Sequence, residues 1–365
     1  MRTIDGNLTK ELLDKMPSSE SVGTYSFKIN TYKSLVAQIA KLAYLNKDYL
    51  LFFRGQPIDH KNKAGSSTLY PSIYRGDYLT QREINYRFEL LNSAGNELAT
   101  IFKNEGIEGA KELRRKKYIQ WSILQHYEIC DTPLLDLTHS LRVACSFALL
   151  ENNNNNGYIY VFGLPFITNR ITINSEHDLV NIRLLSICPP EALRPYFQEG
   201  YLAGTTDITN IYDSKPELDF RNRLIAKFEI PTNVNFWGSE FKIMPKNALY
   251  PSKDKVLKLC KNIKIKVKKQ LHSGQLGEFL KEWSEIEKLL TEATQKAKTR
   301  PTIRSAIQYL RETGKINEGV AFSIDKLRRY RNDIVHNPNV VESETLLDFN
   351  NMLSMVKQGL IEALR

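Results

Sequence analysis

Arg54 stands directly after Leu51-Phe52-Phe53 and directly before Gly55-Gln56, so a guanidinium is carried into an apolar segment beside a residue with no Cβ. A buried arginine costs free energy unless a fixed anionic or polar group faces it. Gly55 lets a ligand or a second backbone come close. Two readings follow. Either Arg54 pairs with a structural acid such as Asp136, or its fork of donors grips a phosphate or carboxylate. Two further polar elements sit at the ends of strand-like apolar runs: Asp136 with Thr138, and Gln198 with Glu199. Gln125, His126 and Tyr127 are candidates to line the same cleft. Each has a purely structural alternative: Asp136 can cap the helix beginning near Ser140, Gln198 a turn, and His126 can donate to a buried carbonyl. A second constellation, Arg331-Asn332 and then His336, closes a late helix, where a histidine can also bond terminal carbonyls.

The elements that must position these residues follow from periodicity. Leu35, Ile39, Leu42 and Ala43 recur at helical spacing within residues 29–47, and Asp48-Tyr49 leads into the Arg54 strand. Residues 57–76, rich in Pro, Gly, Ser and Lys, read as an irregular loop whose composition permits movement. Thr80 and Glu83 make a capping box for a helix to about residue 103. One amphipathic helix is predicted from Ile107 to about Tyr127, a short strand over 134–137, a helix over 140–150, and a surface turn at Asn152–Asn156. Strands are predicted at 158–162, 182–187 and 226–230. From Gly274 onward the pattern is helical: 278–297, 301–312, 317–332 and 343–364, punctuated by Gly274, Pro301, Gly314 and Pro338.

A chain of 365 residues predicts two domains, and 42% hydrophobic content with 18 Tyr and 16 Phe points to folded globules. No apolar run has membrane-spanning length, and the N-terminal residues lack the apolar stretch of a secretion signal. Four cysteines lie far apart without metal-ligand spacing, which predicts unpaired thiols in a reducing cytoplasm and no metal. The net charge of +10 is unevenly placed: eight lysines stand between Lys253 and Lys269 against the single acid Asp254, and Arg114, Arg115 and Lys116 form a second cluster. Such stretches favour RNA or another polyanion, or are solvated helix faces.

Phe53-Arg54-Gly55, Gln125-His126-Tyr127, Thr132-Pro133-Leu134-Leu135-Asp136-Leu137-Thr138, Ala144 and Phe147-Ala148 together resemble the FRG domain family. Arg194, Gln198, Gly200 and Leu249-Tyr250-Pro251 extend the resemblance over about residues 46–265. Leu137 departs from it where an aromatic is frequent, and Glu128 where glycine is frequent. The order Arg54, then Asp136 and Thr138, then Gln198 and Glu199, is also similar to the three-part site of ADP-ribosyltransferases. That resemblance implies NAD as substrate, with Arg54, Gly55, Gln125, His126, Tyr127, Asp136 and Thr138 binding it. Gln198 and Glu199 would be catalytic, Glu199 stabilising the oxocarbenium ion formed at the ribose.

Arg331-Asn332-x-x-x-His336, with the helix order of residues 274–365, resembles the HEPN superfamily. That resemblance implies metal-independent RNA cleavage by Arg331, Asn332 and His336 across a homodimer. The expected organisation is a helical lead-in over 1–45, an FRG domain over 46–270 and a four-helix bundle over 274–365, with the boundary near 266–274. The fold class is α+β, a small mixed sheet with flanking helices followed by an all-α bundle. The functions implied are a toxin or anti-phage effector with ADP-ribosyltransferase-like chemistry, a ribonuclease with a sensing first domain, or a non-enzymatic regulatory dimer. Family analogy adds an antitoxin or regulatory partner.

Overall fold

A computed structural model describes residues 1–76, 79–206, 215–294, 302–336 and 343–364. The chain is α+β and divides into two compact units, Met1–Val267 and Lys268–Arg365, the division falling within the helix Ile263–Ala293.

The first unit is built on one eight-stranded sheet. Its strands are β1 (Phe27–Lys28), β2 (Leu50–Gln56), β3 (Leu135–Thr138), β4 (Asn156–Leu164), β5 (Ile171–Asn174), β6 (Leu179–Arg183), β7 (Gly200–Gly204) and β8 (Leu224–Pro231). Their spatial order is β1-β8-β4-β2-β3-β7-β6-β5. The sheet is mixed, as expected, because β1 runs parallel to β8 while the other neighbours are antiparallel. It is larger than the sequence suggested, since β1, β5 and β7 are too short or too rich in Gly, Lys and Asn to give a strand signal.

The joint between β2 and β3 matters most. β2 pairs with β4 along its whole length, from Leu50↔Leu164 to Gln56↔Tyr158, and β3 pairs with β7 from Leu135↔Ala203 to Thr138↔Gly200. Between β2 and β3 the ladder holds only Phe53↔Thr138. The sheet is therefore two half-sheets joined at one rung, and they part beyond it.

Alternation along the strands sends Phe53, Ile159, Val161, Phe228 and Ile230 into one core, where Leu35 and Leu42 of the helix Tyr32–Leu45 and Ala144, Cys145 and Ala148 of the helix Leu141–Leu149 meet them. Phe52, Leu135, Leu137, Tyr160 and Phe162 pack in a second core on the opposite face. Residues 1–45 belong to this unit: Leu12, Phe27 and Tyr32 are buried in the first core.

The loop after β2 is pinned. Lys227 Nζ, fully buried on β8, donates to Asp59 Oδ2 (2.8 Å), Ser67 Oγ (2.7 Å) and the Gly23 carbonyl (3.2 Å). Tyr160 and Ser67 both donate to Asp59 Oδ1.

The capping box of Thr80 and Glu83 opens the helix Gln81–Asn104, as its sequence predicts. The single helix expected from Ile107 to Tyr127 is two, Ala110–Arg115 and Lys117–His126, broken at extended Lys116 so that Gln120 Nε2 caps the Leu113 carbonyl. The strand expected over 182–187 ends at Arg183 and passes into a 3-10 turn.

The second unit holds helices: the C-terminal part of Ile263–Ala293, then Ile303–Glu312, Glu318–His336 and Ser343–Leu364. Their core contains Phe279, Trp283, Leu310, Leu327, Leu353 and Leu360, with Tyr330 stacked on Phe349 at 3.5 Å. Gly274 does not start a helix but lies inside one, where the surrounding helix formers outweigh a single glycine. The expected helix end at 295–297 and the punctuating Pro301 and Pro338 lie outside the described residues. Among the described residues no helix is long and apolar enough to cross a membrane, and no group of three or more His, Cys, Asp or Glu could hold a metal ion.

Candidate functional site

A cleft of about 170 Å³ opens where the two half-sheets part. One wall carries Phe53, Arg54 and Gly55 of β2; the other carries Asp136, Leu137 and Thr138 of β3 with Gln198 and Gly200. Gln125 and His126 from the end of the helix Lys117–His126 line it as well, as do Glu128, Phe147 and Tyr250.

Arg54 is not sealed against an internal acid. Its Nη1 donates to the backbone carbonyl of Asp136 at 2.7 Å, taking the place of the next rung of the ladder. Among the described residues no carboxylate oxygen forms an ion pair with it, and its Nε is buried with no partner. Burial pushes its pKa down, with the Asp136 charge pulling the other way. A guanidinium hydrogen-bonded to one neutral carbonyl has further N–H groups for an anion, while the Asp136 charge offsets part of its own.

Asp136 has a half-buried carboxylate. Oδ2 accepts from Gln125 Nε2 at 2.6 Å, and Oδ1 lies 3.5 Å from His126 Nδ1. Burial raises its pKa, but the His126 hydrogen bond and charge, the Arg54 charge and the Gln125 hydrogen bond outweigh it, so the group stays below the usual carboxylate range. Gln125 is itself oriented, its Oε1 accepting from Thr132 Oγ1. The opposite ring nitrogen of His126, Nε2, is buried without a partner.

The rest of the expected set divides. Thr138 lines the cleft and braces it: its Oγ1 donates to the Gln198 carbonyl at 2.9 Å and accepts from Ser140 N at 3.0 Å. Gln198 also lines the cleft, and its side-chain Nε2 donates to the Leu249 carbonyl at 2.8 Å. Glu199 does not line the cleft. It is exposed, with φ 45°, because the chain must turn through the left-handed region between the short helix Arg194–Phe197 and β7. Tyr127 is buried and does not line the cleft, its hydroxyl donating to Asp254 Oδ2 at 2.7 Å, because the helix has ended at the preceding residue. Gly55 serves the fold: a Cβ there would meet the Ala144 carbonyl oxygen of the helix Leu141–Leu149 at 1.8 Å, so the close approach is by a second backbone.

Glu128, Tyr250 and Arg194 were missed as site residues, although all three stand in the stretches that carry the family resemblance. Glu128 has φ 57° and completes a helix C-terminus in which Ile129 N bonds the Leu124 carbonyl and Glu128 N that of Gln125. Arg194, buried, stacks over Tyr127 and Tyr250, and its Nη1 donates to the His126 carbonyl. Its part is to hold two cleft-lining segments together.

In the second unit Arg331 Nη1 donates to Asn332 Oδ1 at 3.2 Å and its Nε is buried without a partner. His336 is in the last turn of its helix, and its side chain lies outside the described residues. The geometry thus joins two of the three residues expected there.

Neither curated proteins nor solved structures give a match to this chain. The family model described as FRG domain matches residues 50–157, the span that carries the whole β2 wall of the cleft with Arg54, the β3 part of the other wall with Asp136, and Gln125 and His126.

Proposed function

We propose that the cleft binds NAD and cleaves its nicotinamide–ribose bond, transferring ADP-ribose to a nucleophile on a macromolecule, as the activity of a toxin or anti-phage effector. The observation that carries this reading is the Arg54 guanidinium at the parting of the half-sheets, held by a carbonyl and facing the ionised Asp136. Arg54 meets the pyrophosphate. As the C1′–N bond breaks, its electron pair leaves with neutral nicotinamide, and the positive charge that grows at C1′ is stabilised by the Asp136 carboxylate. That role falls to Asp136 instead of Glu199, since Asp136 lines the cleft. A space of about 170 Å³ takes a ring-sized portion of a dinucleotide, so the remainder extends through the open side.

The test is release of nicotinamide from labelled NAD by the full chain. Arg54→Ala and Asp136→Asn each lose about 10²–10³-fold in turnover, the scale for removing one preorganised electrostatic contact. Glu199→Gln retains it. Turnover that survives Asp136→Asn but not Glu199→Gln would overturn the assignment, and a wild-type chain that neither binds nor cleaves NAD would end it.

A further inference from the structure

The exposed lysines after the cleft wall have no part in the chemistry above. Lys255, Lys258 and Lys261 recur at three-residue steps along and just past the helix Lys255–Cys260, while Val256 and Cys260 are buried on its inner side. With Lys253 they form a row of exposed ammonium groups that enter no ion pair among the described residues, whereas Lys266, further on, is held by Glu97 at 2.6 Å. Like charges in a row repel, and nothing described in the fold neutralises these four.

The row is anchored beside the cleft. Asp254, fully buried among the lysines, accepts Leu257 N at Oδ1 (2.9 Å) and Tyr127 Oη (2.7 Å), Leu193 N (2.8 Å) and Arg194 N (3.1 Å) at Oδ2. Tyr250, three residues before Lys253, lines the cleft, so the two Cα atoms are at most about 11 Å apart. The helix Arg194–Phe197, tied to Asp254 through its first amides, exposes Tyr196 (53%) and Phe197 (44%) immediately before Gln198 of the cleft wall. Unpaired cations and exposed aromatic rings, here on two segments tied to one carboxylate, are the pairing that holds nucleic-acid backbone and unstacked bases together. An acidic protein would use the lysines but has no need of the rings.

We propose that this surface seats a single strand of nucleic acid, phosphates along Lys253, Lys255, Lys258 and Lys261 and bases against Tyr196 and Phe197, and presents it to the cleft. The inference rests on the NAD-cleaving reading and names its target class. A hydroxyl or ring nitrogen of the strand forms the new bond to C1′ as nicotinamide departs, and its proton passes to solvent.

The experiment is fluorescence anisotropy of the full chain with labelled twelve-nucleotide oligo-U and oligo-dT, without NAD, followed by transfer of labelled ADP-ribose to the same strands. Four phosphate contacts on a single strand give a salt slope of about −3, or about 50-fold weaker binding over a fourfold rise in salt. Lys255→Glu/Lys258→Glu/Lys261→Glu, judged folded by circular dichroism, weakens binding at least about tenfold and flattens that slope. Tyr196→Ala/Phe197→Ala weakens it at least about 30-fold with the slope unchanged, since stacking carries no counterion release. Absence of binding by the wild-type chain, binding indifferent to the lysine variant, or displacement by poly-glutamate as readily as by oligonucleotide overturns the proposal. Strand binding without NAD cleavage refutes the transferase reading instead, so the two failures are distinguishable.

Discussion

Replacing Gly55 by Ala tests the packing that sets the cleft's geometry. A Cβ at residue 55 would lie 1.8 Å from the Ala144 carbonyl oxygen, 2.7 Å from its carbon and 2.9 Å from Ala148 N. All three are backbone atoms of the helix Leu141–Leu149, which no side-chain rotation can move. To regain ordinary contact at 3.4 Å the helix must retreat by about 1.6 Å from β2, opening gaps around Ala144, Cys145 and Ala148 in the first core. Overpacking of this kind costs about 3 kcal/mol, the upper end of the usual range. For a unit of this size each kcal/mol is worth about 2–4 °C, so its thermal midpoint should fall by about 6–12 °C. Differential scanning calorimetry of the full chain reads this directly. Gly274→Ala, where nothing lies within 4 Å and the backbone is helical, is the contrasting control and should gain about 0.5–1 kcal/mol. Adding Ala144→Gly to Gly55→Ala should restore nothing, because the obstruction is the carbonyl and not the methyl. A Gly55→Ala midpoint within about 2 °C of wild type, or rescue by Ala144→Gly, would refute the reasoning.

Three other perturbations are quantifiable. His139 lies between Phe52 (4.0 Å) and Tyr201 (4.6 Å), and burial, with the Arg183 charge, pushes its pKa from 6.5 to about 4. The unfolded chain therefore binds this proton first. Its contribution is present above about pH 6.5 and lost as pH falls toward 4, so His139→Phe should remove about 2 kcal/mol of the acid destabilisation between about pH 7.5 and pH 5 in urea unfolding. Lys227→Met leaves Asp59 buried beside two hydroxyl donors with only the half-exposed Lys61 ammonium at 3.9 Å, and should cost about 3 kcal/mol in urea titration; Asp59→Leu added to it should recover much of the loss. Glu128→Gly relieves a left-handed residue whose carboxylate only brushes Arg194 at 3.8 Å, and should stabilise by about 0.5–1 kcal/mol in thermal unfolding.

The sequence reveals much of this fold because its long elements have strong local signals: the Thr80–Glu83 box, the apolar spacing before Asn46 and the four C-terminal helices need no tertiary context. It conceals β1, β5 and β7, whose strand character comes from neighbours and not from composition. In the cleft, Arg54, Gln125, His126, Asp136 and Thr138 are legible because polar groups between apolar runs must face something. Glu199 is misleading for the same reason: next to Gln198 it reads as one half of a pair, and only the backbone turn at that residue sends it to solvent. Asp254 is legible only in part. A lone acid among eight lysines reads as a stray charge, yet it collects donors from two distant segments and from the helix it caps. Glu128 shows the converse, since its φ of 57° is the left-handed backbone that suits glycine, the residue the FRG resemblance leads one to expect there.

The single rung Phe53↔Thr138 gives the crevice a mechanical property. Beyond it, the seam between the half-sheets is closed by one side-chain donor, Arg54 on the Asp136 carbonyl. Any anion that recruits the remaining N–H groups of this guanidinium is held by the same side chain that ties the carbonyl. Ligand occupancy and cohesion of the sheet thus draw on one shared group, and the sheet itself becomes a gauge of whether the crevice is filled.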